Sequence, residues 1–124
     1  MEIPDNLQYT KNHEWVHITD GIATIGITDY AQGELGDIIF IEFPNTGDKF
    51  NAGDSVGIIE AVKTVADLYT PIDGDILEIN TQLEAKPEIM NKDPYESGWI
   101  IKLNNISNNE SELFASSDYR KFIQ

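Results

Sequence analysis

The chain has 124 residues, enough for one domain with a modest core but small for an elaborate active site. It contains no cysteine, which excludes disulfides, thiolate metal sites and cysteine nucleophiles. Twenty-two acidic residues against eight basic give a formal charge of −14, which repels nucleic acid and anionic membrane and suits docking to basic surfaces.

Met1 to Asp5 has neither a basic leader nor an apolar one, and no apolar run approaches the roughly 20 residues of a membrane span. A soluble, cytoplasmic, bacterial-type protein with no membrane partner is expected. Residues 1–8 read as an extended lead-in and Tyr9 to Ile18 as one strand, with Asp20-Gly21 turning into a second strand over Ile22 to Ile27. Thr28 or Asp29 caps a short helix near 29–35, which Gly36 stops. Asp37 to Phe43 is a strand ended by Pro44, and Asn45 to Asp48 turns the chain. Two strands that fold back on each other at Lys63 come next, and Asp75 to Asn80 makes another. Gln82 to Ala85 reads as a helical turn before Pro87, Asp93-Pro94 opens a loop that closes at Gly98, and Trp99 to Leu103 is the last strand. Asn104 to Asn109 reads as a polar connector. Ser111 to Ile123 reads as one or two terminal helices that bury Leu113, Phe114, Phe122 and Ile123.

Many short strands with turn signals between them predict a mainly β fold, a β-sandwich or flattened barrel with helices as trimmings. The expected organisation is a single domain over 1–124, with a hairpin core at about 37–103 and a C-terminal helical segment at about 110–123.

The centre of the pattern is the stretch from Gly57 to Pro71. Apolar, strand-favouring residues run into Lys63 and out of it again. Gly53-Asp54 precedes the lysine and Gly74-Asp75 comes after it, each read as a turn opening a β-patterned run, so the two halves are related by a pseudo-twofold close to Lys63. No Asn-Gly or Asp-Gly occurs at 62–64, so something other than turn chemistry chose the tip residues. A lysine is ordinarily a solvated surface charge. Here Glu60 and Asp67 stand on either side of Lys63, and nearby carboxylates favour the ammonium form, the wrong direction for a lysine base or Schiff-base nucleophile. A displayed but untuned lysine reads as a site that another enzyme modifies.

Two motifs, taken literally, name enzymes. His13-Glu14-Trp15-Val16-His17 spells H-E-x-x-H, the zinc-peptidase signature, which needs both histidines on one helical face. The residues after it pattern as a strand, and four residues along a strand separate the rings by about 13 Å, beyond a shared ion. Gly53-Asp54-Ser55-Val56-Gly57 matches G-x-S-x-G, but the next residues read as strand and both histidines precede the serine, so turn glycines explain it better.

Glu60-Ala61-Val62-Lys63-Thr64-Val65-Ala66-Asp67 through Pro71, with Gly74-Asp75-Ile76 and Asn80, resembles the lipoylation segment of the glycine cleavage system H protein family. The resemblance extends over Tyr9-Thr10, His13 to Val16, Thr24 to Thr28, Gly33 to Ile38, Asn91, Asp93-Pro94-Tyr95 and Gly98-Trp99, nearly the whole chain. Ala61 stands where the family more often has serine, and His17 where arginine is common.

The resemblance implies a non-catalytic carrier in glycine catabolism and one-carbon metabolism. Lys63 becomes N6-lipoyllysine by the action of a lipoate ligase or lipoyltransferase, with Glu60 a candidate recognition element for that enzyme. A glycine decarboxylase, the P protein, loads an aminomethyl group; an aminomethyltransferase, the T protein, takes it; dihydrolipoyl dehydrogenase, the L protein, reoxidises the dithiol. Glu14 and Asp67 are candidates to hold the cationic amine against the surface, with Ile27 shielding the arm. Biotinyl carriers share the hairpin lysine but typically flank it with methionines, where Val62 and Thr64 stand here. A lipoyl relay to other lipoate-dependent complexes would use the same acceptor site.

Overall fold

Nine short strands form two sheets in the computed structural model, which describes residues 1–107 and 113–124. The six-stranded sheet has the order β1 (Gln8–Tyr9), β2 (Glu14–Thr19), β3 (Ile22–Ile27), β9 (Ile101–Ser107), β8 (Asp73–Ile79) and β5 (Lys49–Phe50). The three-stranded sheet has the order β4 (Ile38–Glu42), β6 (Ser55–Ala61) and β7 (Val65–Tyr69). All pairings are antiparallel, and the core draws on both sheets: Val16, Ile25 and Leu103 from the larger, Ile41, Ile59 and Leu68 from the smaller, each at most 4% exposed. Of the two architectures expected, the sandwich is the one formed.

The expected helix is present as α1 (Asp29–Leu35). The Thr28 hydroxyl accepts from the Ala31 N–H at its start, and Gly36, at a φ of 78°, ends it. The helical turn before Pro87 is α2 (Gln82–Ala85), and a further turn, α3 (Ile89–Lys92), comes after it. Asn91 ties these parts together: its amide donates to Gly36 O at 2.8 Å and Gln32 Oε1 at 3.1 Å, and its oxygen accepts from the Ile38 N–H at 3.0 Å.

The mirrored flanks of Lys63 have a concrete form. The pairs Lys49↔Asp75, Phe50↔Gly74, Ser55↔Tyr69 and Glu60↔Val65 share one midpoint, at residues 62–63. Residues 49–75 are thus one long hairpin that starts in the larger sheet and ends in the smaller. Its glycines differ, however. Gly53, at a φ of 93°, makes a turn, whereas Gly74 lies inside β8, where a Cβ would stand 3.1 Å from Asn104 O. Close approach, not turning, selects glycine at 74.

Three other expectations change. Tyr9 to Ile18 is not one strand: the chain reverses at Lys11-Asn12-His13, with His13 at a φ of 66°, so that Tyr9 pairs with Trp15. The Thr10 hydroxyl drives the reversal by accepting from the Asn12 and Glu14 N–H groups at 3.2 and 3.1 Å. Asn104 to Ser107 is strand rather than connector, because Asp75 and Asp73 of β8 pair with Asn104 and Ser107; the last strand accordingly begins at Ile101, after Trp99 and Ile100. Among the described residues the terminal segment forms one helix, α4 (Ser116–Phe122), and it buries Tyr119, at 0% exposure, while Phe122 remains 48% exposed. The expected connector and helix residues at 108–112 lie outside the described residues.

Candidate functional site

Strand β6 brings the chain up to Lys63 and β7 takes it away. The tip closes through the Ala61 N–H, which donates to Thr64 O at 2.8 Å, and is tied to the approach of β4 by the Val62 N–H, which donates to Asp37 O at 3.0 Å. Val62, Lys63 and Thr64 keep negative φ, so the turn needs no glycine. Lys63 is exposed, and among the described residues its ammonium has no hydrogen-bond or ion-pair partner. The backbone is anchored while the side chain is free, an arrangement suited to an amine that takes a covalent attachment.

Glu60, the cross-strand neighbour of Val65, lies one residue before the tip turn and is half-buried. Asp67 is exposed, accepts from the Ser55 hydroxyl at 2.9 Å and faces the Tyr69 hydroxyl at 3.5 Å. Ser55 is therefore engaged by Asp67 at the start of a strand, not poised on a turn before a helix.

At the other end of β7 a cleft of about 530 Å³ opens between the β1–β2 reversal, the turn at Gly53 and the segment entering α4. Its walls are polar at Thr10, Asn12 and Glu14 and apolar at Pro71, Leu113 and Phe114. Glu14 is 1% exposed; it accepts from the Thr10 hydroxyl at 2.7 Å and from the Tyr69 N–H at 3.3 Å. Burial pushes its carboxyl up to about 7, with those two hydrogen bonds opposing the shift. A carboxyl held there changes protonation near neutral pH and would ionise for an arriving cation.

Tyr69 joins the two ends: its N–H faces Glu14 and its hydroxyl faces Asp67. Ile27 is the cross-strand partner of Glu14, 4% exposed and part of the core behind the cleft rather than one of its walls. From Val65, just past the tip, to Tyr69 the strand rises about 13 Å. A lysine bearing an extended acyl chain could lie along this path, and the apolar walls with one buried carboxyl fit a chain that ends in a cation. Thr10 and Tyr69 entered the sequence reading only within the family resemblance and Phe114 only as a buried residue of the terminal segment, none of them as part of a cleft. Only the Thr10-x-x-x-Glu14 spacing across a reversal could have pointed to the first.

The two histidines of the H-E-x-x-H pattern serve structure. His13 sits in the β1–β2 turn with Nδ1 at 2.9 Å from the Tyr119 hydroxyl, while His17 lies on β2 opposite Thr24. Burial lowers the pKa of His13 from its ordinary value. Among the described residues no group of three or more His, Cys, Asp or Glu side chains could hold a metal ion, and no helix is long and apolar enough to cross a membrane.

Comparison with known proteins gives a consistent picture. The family profile described as "Glycine cleavage H-protein" matches residues 7–124. The chain is 49% identical over 124 residues to a glycine cleavage system H protein of Staphylococcus epidermidis, covering 99% of this chain and 98% of that one. It is 48% identical to one of Listeria monocytogenes, covering 99% of each, and 47% identical to a probable one of Picrophilus torridus, covering 98% and 96%. A crystal structure of a glycine cleavage system H protein from Mycobacterium marinum superposes with a TM-score of 0.88 at 36% identity, covering 96% of this chain and 97% of that one.

Proposed function

The chain belongs to the glycine cleavage H-protein family, and from that premise we propose that it is the lipoate carrier of a glycine cleavage system, with Lys63 as the residue that takes lipoate in amide linkage. The observation that carries this reading is the exposed Lys63 side chain, without a partner among the described residues, on an anchored hairpin tip. Acylation removes one positive charge from a chain already at −14 and leaves the fold untouched, since no described contact depends on the ammonium. When bound, lipoate supplies a dithiolane whose opening and closing lets a one-carbon amine pass from a decarboxylase to an aminomethyltransferase before a dihydrolipoyl dehydrogenase restores the disulfide. Tethering keeps the carried group at high effective concentration for successive enzymes, and the chain itself performs none of the chemistry.

The chain's own residues position and shield. Glu14 and Asp67 offer carboxylates to the cationic amine, Tyr69 spans the distance between them, and Pro71, Leu113 and Phe114 exclude water from the arm, with Ile27 backing Glu14. Glu60 helps the lipoylating enzyme distinguish this lysine from others.

Intact mass after incubation with lipoate, ATP and a lipoate ligase tests the assignment. A gain of about 188 Da, the condensation mass, is expected on Lys63 and is expected to vanish in Lys63→Arg. No gain, under conditions where a known H protein is modified, would rule the carrier reading out. Loaded protein carrying Glu14→Gln and Asp67→Asn is expected to lose its amine to water faster than wild type; equal lifetimes would remove both residues from the shielding role.

A further inference from the structure

The outer face of the three-stranded sheet carries a surface of which shielding an arm requires only Asp67. Directly paired residues of an antiparallel ladder project to the same side. Phe40, Glu60 and Val65 therefore form one row, and Glu42, Ile58 and Asp67 the next. Apolar and acidic side chains alternate along both rows and between them. Phe40 is 51% exposed and Val65 61%, and the irregularity between Ile38 and Phe40 turns Ile39 outward as well, at 56%. With Val62, at 67%, four of the seven large apolar side chains left exposed among the described residues gather around Lys63. In the two rows and the tip, Lys63 is the one basic residue.

We propose that this face is the docking surface of the enzyme that acylates Lys63, and that the enzyme meets it with aliphatic side chains rimmed by lysine and arginine. The proposal rests on the carrier reading of Lys63. Its physical basis is reach. A lysine amine stands only about 6 Å from its own Cα, so an enzyme that joins an acyl carbon to Nζ must descend onto the tip and the surface beside it. Enzymes that act on the lysine once it is extended can stand off by the length of the arm. The surface continuous with the tip therefore falls to the acylating enzyme.

In that step the ammonium gives up two protons, and the C–N bond forms as the bond between the activated acyl carbon and its leaving group breaks, the electron pair going with the leaving group. Charge selects the partner's sign: Glu42, Glu60 and Asp67 face outward with no base among them, so a complementary surface is positive. A second copy of this chain would set these carboxylates against their equivalents and −14 against −14.

The test is steady-state lipoylation of the full chain by a lipoate ligase, comparing wild type with Glu42→Gln/Glu60→Gln and with Ile39→Thr/Val65→Thr. Each double variant is expected to raise KM about fivefold or more with kcat within about twofold, and the rise of KM with salt should flatten in the charge variant. Acetylation of Lys63 by a small N-hydroxysuccinimide ester is expected to proceed equally in all three, showing an unaltered amine on an intact tip. Unchanged KM and salt dependence in both variants would overturn the docking face while leaving the carrier reading intact. So would an equal rise in KM from Glu78→Gln/Glu84→Gln, two exposed acids outside this sheet. A wild-type chain that accepts no lipoyl group would remove both the docking face and the carrier reading.

Discussion

Glu14 shows how one side chain takes its chemistry from distant partners. Its carboxyl is 1% exposed and pushed up to about 7 from 4.5 by burial. Between those values the unfolded chain releases the proton while the folded chain keeps it, so folding stability falls as pH rises through this window and levels off above about 7. Glu14→Gln is expected to remove that slope. In urea unfolding, the variant should gain on wild type by up to about 3 kcal/mol between pH 4.5 and 8, and parallel profiles would show that Glu14 does not titrate there. Gly26 makes a second case. A Cβ there would stand 2.6 Å from Trp15 Nε1, and that indole is fixed by donating to Pro94 O at 2.9 Å. Gly26→Ala is expected to cost about 1–3 kcal/mol by displacing the ring, measurable as a lowered denaturant midpoint. Lys63 was legible in the sequence because its signal is local, a lone cation between strand-forming runs. The burial of Glu14 was not, because Tyr69, the second of its two hydrogen-bond donors, lies 55 residues away.

Among the elements, the long hairpin was the most legible, since period-two apolar patterns and mirrored glycines sit within one stretch of chain. Its tip depends on a bond the pattern cannot show, the Val62 N–H to Asp37 O. Val62→Pro deletes that donor and is expected to cost about 1 kcal/mol and to speed amide exchange at Ala61, without unfolding the sandwich. Helix α4 was legible as a helix but not in its buried side. Tyr119, not Phe122, turns inward, stacks on Tyr9 at 4.7 Å and brings its hydroxyl within 2.9 Å of His13 Nδ1 and 2.8 Å of Thr28 Oγ1. Tyr119→Phe keeps the stack and strips both polar contacts. A loss of about 1–3 kcal/mol is expected in chemical denaturation, mostly from the Thr28 hydroxyl left buried. Strand β9 eluded sequence reading past Leu103 because asparagines and serine favour loops, and pairing with β8 overrode that preference.

Across the full chain, charge is set against packing. The formal charge is −14, and the one ion pair among the described residues joins Lys49 to Asp75 at 3.3 Å, with the lysine side chain 82% exposed. Such a pair does little to offset self-repulsion. Raising NaCl from about 10 mM to about 200 mM is therefore expected to raise the thermal midpoint by several degrees, and an unchanged midpoint would show that the acids are too far apart to matter. The fold class, the helix over 29–35 and the position of the displayed lysine are legible in the amino-acid sequence by itself. Each depends on signals a few residues long, a cap, a turn or an alternating run, which act within their own segment of chain. The reversal at His13, the cleft around Glu14, the inward turn of Tyr119 and the exposed apolar rows beside Lys63 are decided only by tertiary structure. They arise where two sheets and a terminal helix meet, and there burial, hydrogen bonding and proton affinity are set by atoms far apart in sequence.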